Sequence, residues 1–177
     1  DAHVDLDGTV YLGDALLPEA ATQALALADT DDLHWQAACR VLIRDTLHCL
    51  QAAQRHAAPD GTAVVVLGPA LTFSGAADLV PLSTAAEAQR GLVKAVARQL
   101  GAQGITVNWI GVNSQQLAPA LAHARLPQRD ERIPVALGKP PALDADIAAI
   151  IDFLSSSAGR KITGASLCLD GGEWMLP

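Results

Sequence analysis

Two uninterrupted apolar runs, TAVVVLG at 62–68 and GITVNWIGV at 104–112, stand on either side of a long stretch with helical spacing, and this alternation leaves few folds open. Neither run shows the polar–apolar alternation of a strand with one wet face, so each reads as a strand buried on both faces. Such strands need helices above and below the sheet. Joined through helices, they lie parallel with right-handed crossovers.

The flanking patterns supply those helices. DDLHWQAACRVLIRDTLHCLQAAQRHA carries Trp35, Ala38, Val41, Leu42, Thr46, Leu50 and Ala53 at helical spacing, with Asp31 or Asp32 as its cap. STAAEAQRGLVKAVARQLG predicts a helix starting near Glu87, with Ser83 or Thr84 and Glu87 as a capping box and Gly101 or Gly104 as its stop. ALDADIAAIIDFLSSSAG predicts a third, with Asp144 or Asp146 at its positive end. AHVDLDG reads as a first short strand and KITGASLCLDGG as a last one. Residues 16–29 are weakly helical, Pro59-Asp60-Gly61 marks a turn, and 113–141 reads as a long loop with a helical piece. The fold class is α/β, with four strands alternating with helices around a parallel sheet.

Composition agrees. Half of the 177 residues are hydrophobic and only 3% are aromatic, which suits an Ala/Val/Leu/Ile core in a helix-covered sheet. The formal net charge of −7 and the lack of a basic stripe argue against nucleic acid as a partner. Cys39, Cys49 and Cys168 are odd in number and scattered, which predicts reduced, buried thiols in a cytoplasmic protein. No apolar run is long enough for a membrane span, and no signal peptide is visible. His3, His34, His48, His56 and His123 show no metal-ligand spacing.

QRGLVKAVARQLGAQGITVN, IAAIIDFLSSSAGRKITGASLCLDGG and HWQAACRVLIRDTLHCLQAA together resemble the short-chain dehydrogenase/reductase family. DAHVDLDG is similar to that family's fourth strand, which usually ends in NNAG. The resemblance implies a Rossmann-like sheet lacking the first strands of the nucleotide-binding half, in one truncated domain over 1–177. Members transfer hydride to or from a nicotinamide. A tyrosine acts as acid/base, a lysine lowers its pKa, a serine orients the substrate oxygen and an asparagine holds a relay water. The logic is electrostatic, because a phenol must be brought down by an adjacent cation to exchange protons near neutrality.

This sequence departs from the pattern at each point. In the register set by Gly91-Leu92, the tyrosine position is Leu82 and the lysine position Ala86. The serine position is Gly68 or Pro69, and the asparagine position Leu42. The single tyrosine, Tyr11, lies after the first strand, and the lysines are Lys94, Lys139 and Lys161. No TGxxxGxG phosphate loop is present. NNAG becomes Asp5-Leu6-Asp7-Gly8, and the Pro-Gly that borders the nicotinamide becomes Val112-Asn113. The reading is a pseudoenzyme with no catalytic, cofactor-binding or metal residues of its own.

What survives is the helix pair at 35–57 and 87–100, which in the family builds a four-helix bundle with a second subunit. Trp35, Val41, Leu50, Leu92 and Val96 are the candidate interface residues, with Trp174 in a tail that members place across a subunit boundary. The resemblance therefore implies a non-catalytic subunit paired with a catalytically active homologue that holds NAD(P). Some members form such heteromers, including enzymes of hydroxyacyl-CoA thioesters, and Arg125, Arg129 and Arg132 could meet phosphates. Three other readings stay open: a bracing subdomain like the truncated half of a polyketide ketoreductase, a stand-alone homodimer that binds a ligand, and a phosphatase of haloacid-dehalogenase type using Asp5 and Asp7 in DLDGTV.

Overall fold

The computed structural model describes residues 17–123, 135–143 and 145–175. Strand β1 (Thr62–Pro69) pairs in parallel with β2 (Ile105–Val112) along its whole length, from Thr62 opposite Ile105 to Pro69 opposite Val112. Strand β3 (Ser166–Leu169) adds to the far side of β2, giving the order β1-β2-β3 among the described residues. The first strand expected from AHVDLDG, with His3, Asp5, Asp7 and Tyr11, lies outside the described residues, as do Arg125, Arg129, Arg132 and Asp144.

Successive β-branched residues point to opposite faces and so serve two cores. Val64, Val66, Val107 and Trp109 pack under Leu50 and Ala53 of α3 (Thr46–Arg55) and under Val93, Ala97 and Leu100 of α4 (Val80–Leu100). Val65, Ile110 and Val112 pack on the other side against Ile147 and Leu154 of α6 (Ala145–Ser155). The double burial expected of these strands is thus met by a helix layer on each face. Asn108 pins the entry to β3: its Nδ2 donates to the Ile162 carbonyl at 2.9 Å, and its Oδ1 accepts from the Ala165 N–H at 3.1 Å.

The helix expected over 35–57 forms with a change of winding. It runs as α2 (Asp32–Cys39), a π-helical segment (Arg40–Asp45) and α3, capped by Asp31, which accepts from the His34 N–H at 3.0 Å. Spacing explains the π segment. The buried residues Ala38, Leu42, Thr46 and Leu50 recur every fourth position. At 3.6 residues per turn, each such step drifts by about 40° around an α-helix. A wider π turn takes up that drift and keeps all four on one face.

Elsewhere boundaries move. α4 begins at Val80 and not near Glu87, with Pro81 in its first turn and no side-chain cap. Proline is suited to that position, where no helical N–H is needed, and Ser83 is already inside the helix, its N–H bonded to the Leu79 carbonyl. The described part of the 16–29 stretch reduces to one turn, α1 (Glu19–Thr22), and a 3₁₀ turn (Leu27–Asp29). The 113–141 stretch contributes α5 (Ser114–Leu117) and a 3₁₀ turn (Pro119–His123). Gly104 ends the connection after α4 in the left-handed conformation, φ 76°. The expectation of three buried thiols fails: Cys39 and Cys49 are half-buried and Cys168 is exposed on β3. No helix among the described residues is long and apolar enough to cross a membrane.

Candidate functional site

Ligands of open α/β sheets bind beyond the carboxyl ends of the strands, and that end of this sheet is filled. Three of the four positions that the family resemblance assigns to reactive groups converge there. Leu42 from the π segment and Leu82 and Ala86 from the first half of α4 lie in one apolar cluster, with exposures of 4%, 0% and 0%. Leu71, Leu79 and Ala85 fill it from below, Ala118 and Leu121 from the segment after β2, and Ala21 from α1. At these positions aliphatic side chains meet one another.

The serine position is closed in another way. Gly68 is overlaid by the indole of Trp109: a Cβ there would stand 2.3 Å from Cζ2. Pro69, the last residue of β1, is buried, and its carbonyl accepts the Thr72 hydroxyl at 2.9 Å. Val112 is buried, and Asn113 caps α5 by accepting from the Gln115 N–H, while its Nδ2 donates to Glu173 at 2.7 Å. The described residues at this cleft therefore do not fit a nicotinamide, because the space it would take is occupied by aliphatic side chains, and Leu42, Leu82 and Ala86 offer it no hydrogen-bonding group.

The remaining chemistry is structural. Asp170 is the one buried ionisable side chain among the described residues, 2% exposed. It accepts the N–H groups of Gly172 and Trp174 and so forms the turn after β3. Cys39 packs against the apolar cluster, and burial pushes its thiol pKa up, away from thiolate reactivity. The Cys168 thiol is also raised, by burial and the Asp170 carboxylate against an opposing pull from Arg90. No group of three metal-ligating side chains occurs among the described residues.

A polar brace beside the cleft was not read from the sequence. Gln89, 3% exposed, accepts from the Trp109 indole N–H at 2.8 Å and donates to the Thr46 hydroxyl at 2.8 Å, joining β2, α4 and α3. Arg90 stacks on Phe73 at 4.5 Å and on Trp109 at 5.6 Å and holds Glu87 with both carboxylate oxygens at 2.7 Å. The signal was available, since Gln89 is the polar residue in the buried face Leu82, Ala86, Val93, Ala97 and Leu100 of α4.

The candidate interface residues fall into two groups. Trp35 is exposed at 38% and Val41 is half-buried, while Leu92 and Val96 are half-buried and pack partly against this chain's own core. Leu50 does not belong with them. It is 2% exposed and packs into this chain's own core, because the π segment turns it inward. Trp174 is half-buried, and its indole N–H is buried without a hydrogen-bond partner among the described residues.

Comparison with known proteins agrees with this architecture. A family model described as enoyl-(acyl carrier protein) reductase matches residues 13–173. Among curated relatives, the (2S)-[(R)-hydroxy(phenyl)methyl]succinyl-CoA dehydrogenase subunit BbsD of Thauera aromatica is 29% identical over 161 residues, 85% of this chain and 60% of that protein. A 3-oxoacyl-[acyl-carrier-protein] reductase, FabG of Staphylococcus epidermidis, is 37% identical over 87 residues, 48% of this chain and 34% of that protein. Among solved structures, a short-chain dehydrogenase from Burkholderia cenocepacia in complex with NADP superposes with a TM-score of 0.72 at 27% identity, covering 93% of this chain and 64% of that one. The chain spans less than two thirds of the length of each of these relatives.

Proposed function

This chain belongs to the short-chain dehydrogenase/reductase family, matched over residues 13–173, and from that premise we propose that it is a non-catalytic subunit of a heteromeric NAD(P)-dependent dehydrogenase. One observation carries the reading: Leu42, Leu82 and Ala86 meet in a closed aliphatic cluster where the family's proton-transfer groups belong. A single drifted residue would leave a damaged active site. Three positions repacked together, with the serine position under an indole, make a core.

The partner is a catalytically complete homologue that binds the nicotinamide, and the contact is the outer face of the α2–α3 and α4 helices around Trp35, Val41, Leu92 and Val96, with Trp174 as a second anchor. Exposed aromatic and aliphatic side chains on packed helices are the kind of surface that a subunit interface buries. The substrate class of the complex is a hydroxyacyl-CoA thioester, a reading supported by the printed activity of the Thauera aromatica relative, itself a dehydrogenase subunit. The chain stabilises the active subunit and contributes no reacting group.

Co-expression with candidate dehydrogenase homologues, followed by size exclusion with mass measurement, tests this. A stable complex that turns over substrate with NAD(P), where the chain by itself does not, supports it. Saturable micromolar binding of NADH or NADPH to the isolated chain overturns it.

A further inference from the structure

Residues 17–30 close the mouth of the apolar cluster, and few bonds hold them there. Ala21 is buried in the cluster, 3% exposed, and Leu17 packs against it. The rest is lightly attached. α1 is a single turn with no side-chain cap. The Leu25 N–H donates to the Asp78 carbonyl at 2.8 Å. Asp78 itself stands at φ 63°, a left-handed conformation that Asp tolerates better than most residues. Leu27, between these attachments and α2, is 72% exposed.

The other tether is His34. Its Nδ1 is held by the Asp31 carboxylate, which also caps α2, and its Nε2 lies 3.1 Å from the Gln23 carboxamide oxygen. Because the carboxylate only accepts, Nδ1 carries a proton. Gln23 meets Nε2 in either state, offering its oxygen to an N–H or, turned over, its amide N–H to a bare nitrogen. The imidazole thus joins a rigid helix end to an exposed residue eleven positions earlier in the chain.

We propose that residues 17–30 are a self-occluding strap, latched by His34 on Gln23, which fills the mouth of the former catalytic cleft in place of a ligand. Released, it uncovers a groove lined by Leu42, Leu79, Leu82 and Leu121. The strap opens as a unit because its buried anchors, Ala21 and Thr22 with Leu17 beside them, all lie within one short stretch, whereas α4 beneath it is fastened along its whole buried face. This device belongs to the chain alone, so its failure would leave the partner reading intact.

The test uses Gln23→Ala and His34→Ala, with amide hydrogen exchange followed by mass spectrometry. Gln23 is exposed, so its variant removes the latch without touching the core. Both variants are expected to speed exchange at 19–30 by about fivefold, the size of one lost hydrogen bond, with α4 protection unchanged. The hydrophobic dye 8-anilinonaphthalene-1-sulfonate is expected to bind the double variant saturably at one site and the parent chain far more weakly. Unchanged exchange at 19–30, exchange rising equally in α4, or dye binding that does not differ from the parent would each overturn the strap.

Discussion

Gln89 is held at both ends of its carboxamide inside an otherwise apolar helix face, and that makes it the most informative single side chain beside the cleft. Gln89→Ala leaves the Trp109 indole N–H and the Thr46 hydroxyl buried without it. The expected loss is about 1–3 kcal/mol, read as a lower urea midpoint with an unchanged slope. Putting back the family's reactive groups has a related cost. Leu82→Tyr with Ala86→Lys places a phenol and an ammonium in a cluster where both positions are 0% exposed. A buried, unpaired charge is costly, so the double variant is expected to unfold more easily and to show no NAD(P)H turnover; restored turnover would contradict the filled-cleft reading. Asp31 supplies a pH dependence. Its carboxyl is held below the usual range, first by the His34 backbone N–H and then by the imidazole. A lowered folded-state pKa means that stability is present above the unfolded value and lost as pH falls through the folded one. Below that range the α2 terminus frays, and Asp31→Asn, which keeps a capping oxygen, removes this acid step, as peptide exchange across pH would show.

At the scale of elements, the β1–β2 pair depends on absent side chains as much as on present ones. Trp109 lies across Gly68, and Gly111 beside it would bring a Cβ to 2.7 Å from Phe73. Gly68→Ala forces the indole out of place or the strands apart, at about 1–3 kcal/mol of overpacking. Because Phe73 meets Trp109 edge-on at 5.3 Å, near-ultraviolet circular dichroism is expected to lose intensity in this variant before helix content changes. The α2–π–α3 helix carries a second lesson. Its four-residue spacing of buried positions was present in the amino-acid order, but the family resemblance assigned Leu50 to a subunit interface. Only the change of winding at Arg40–Asp45 turns it inward.

For the whole molecule, the surface follows from the same repacking. With its cleft filled, the chain presents Trp35, Leu33 and Leu47 on α2 and α3 and Phe153 on α6, exposed at 38%, 67%, 37% and 47%. A partner on the α2–α3 side is expected to bury Trp35. Trp35→Ser is then predicted to weaken a heteromer by about 2 kcal/mol or more, as removal of an aromatic anchor does. Measured mass would fall to that of the separate subunits, with the chain's own far-ultraviolet spectrum unchanged.

The amino-acid order alone determined the parallel α/β plan, the two doubly buried strands, a glycine stop at Gly101 or Gly104 and the aliphatic identity of residues 42, 82 and 86. Each of these is a local matter: hydrophobic period, a backbone conformation open to glycine, or the identity of one residue in a register. Tertiary structure decided that Leu42, Leu82 and Ala86 pack together, that Leu50 faces inward, that Gln89 braces Trp109 and that Ala21 joins the same cluster. These depend on contacts between segments far apart in the chain, such as Gln89 with Thr46, 43 positions away. Local propensity carries no information about which distant side chain will fill a given space.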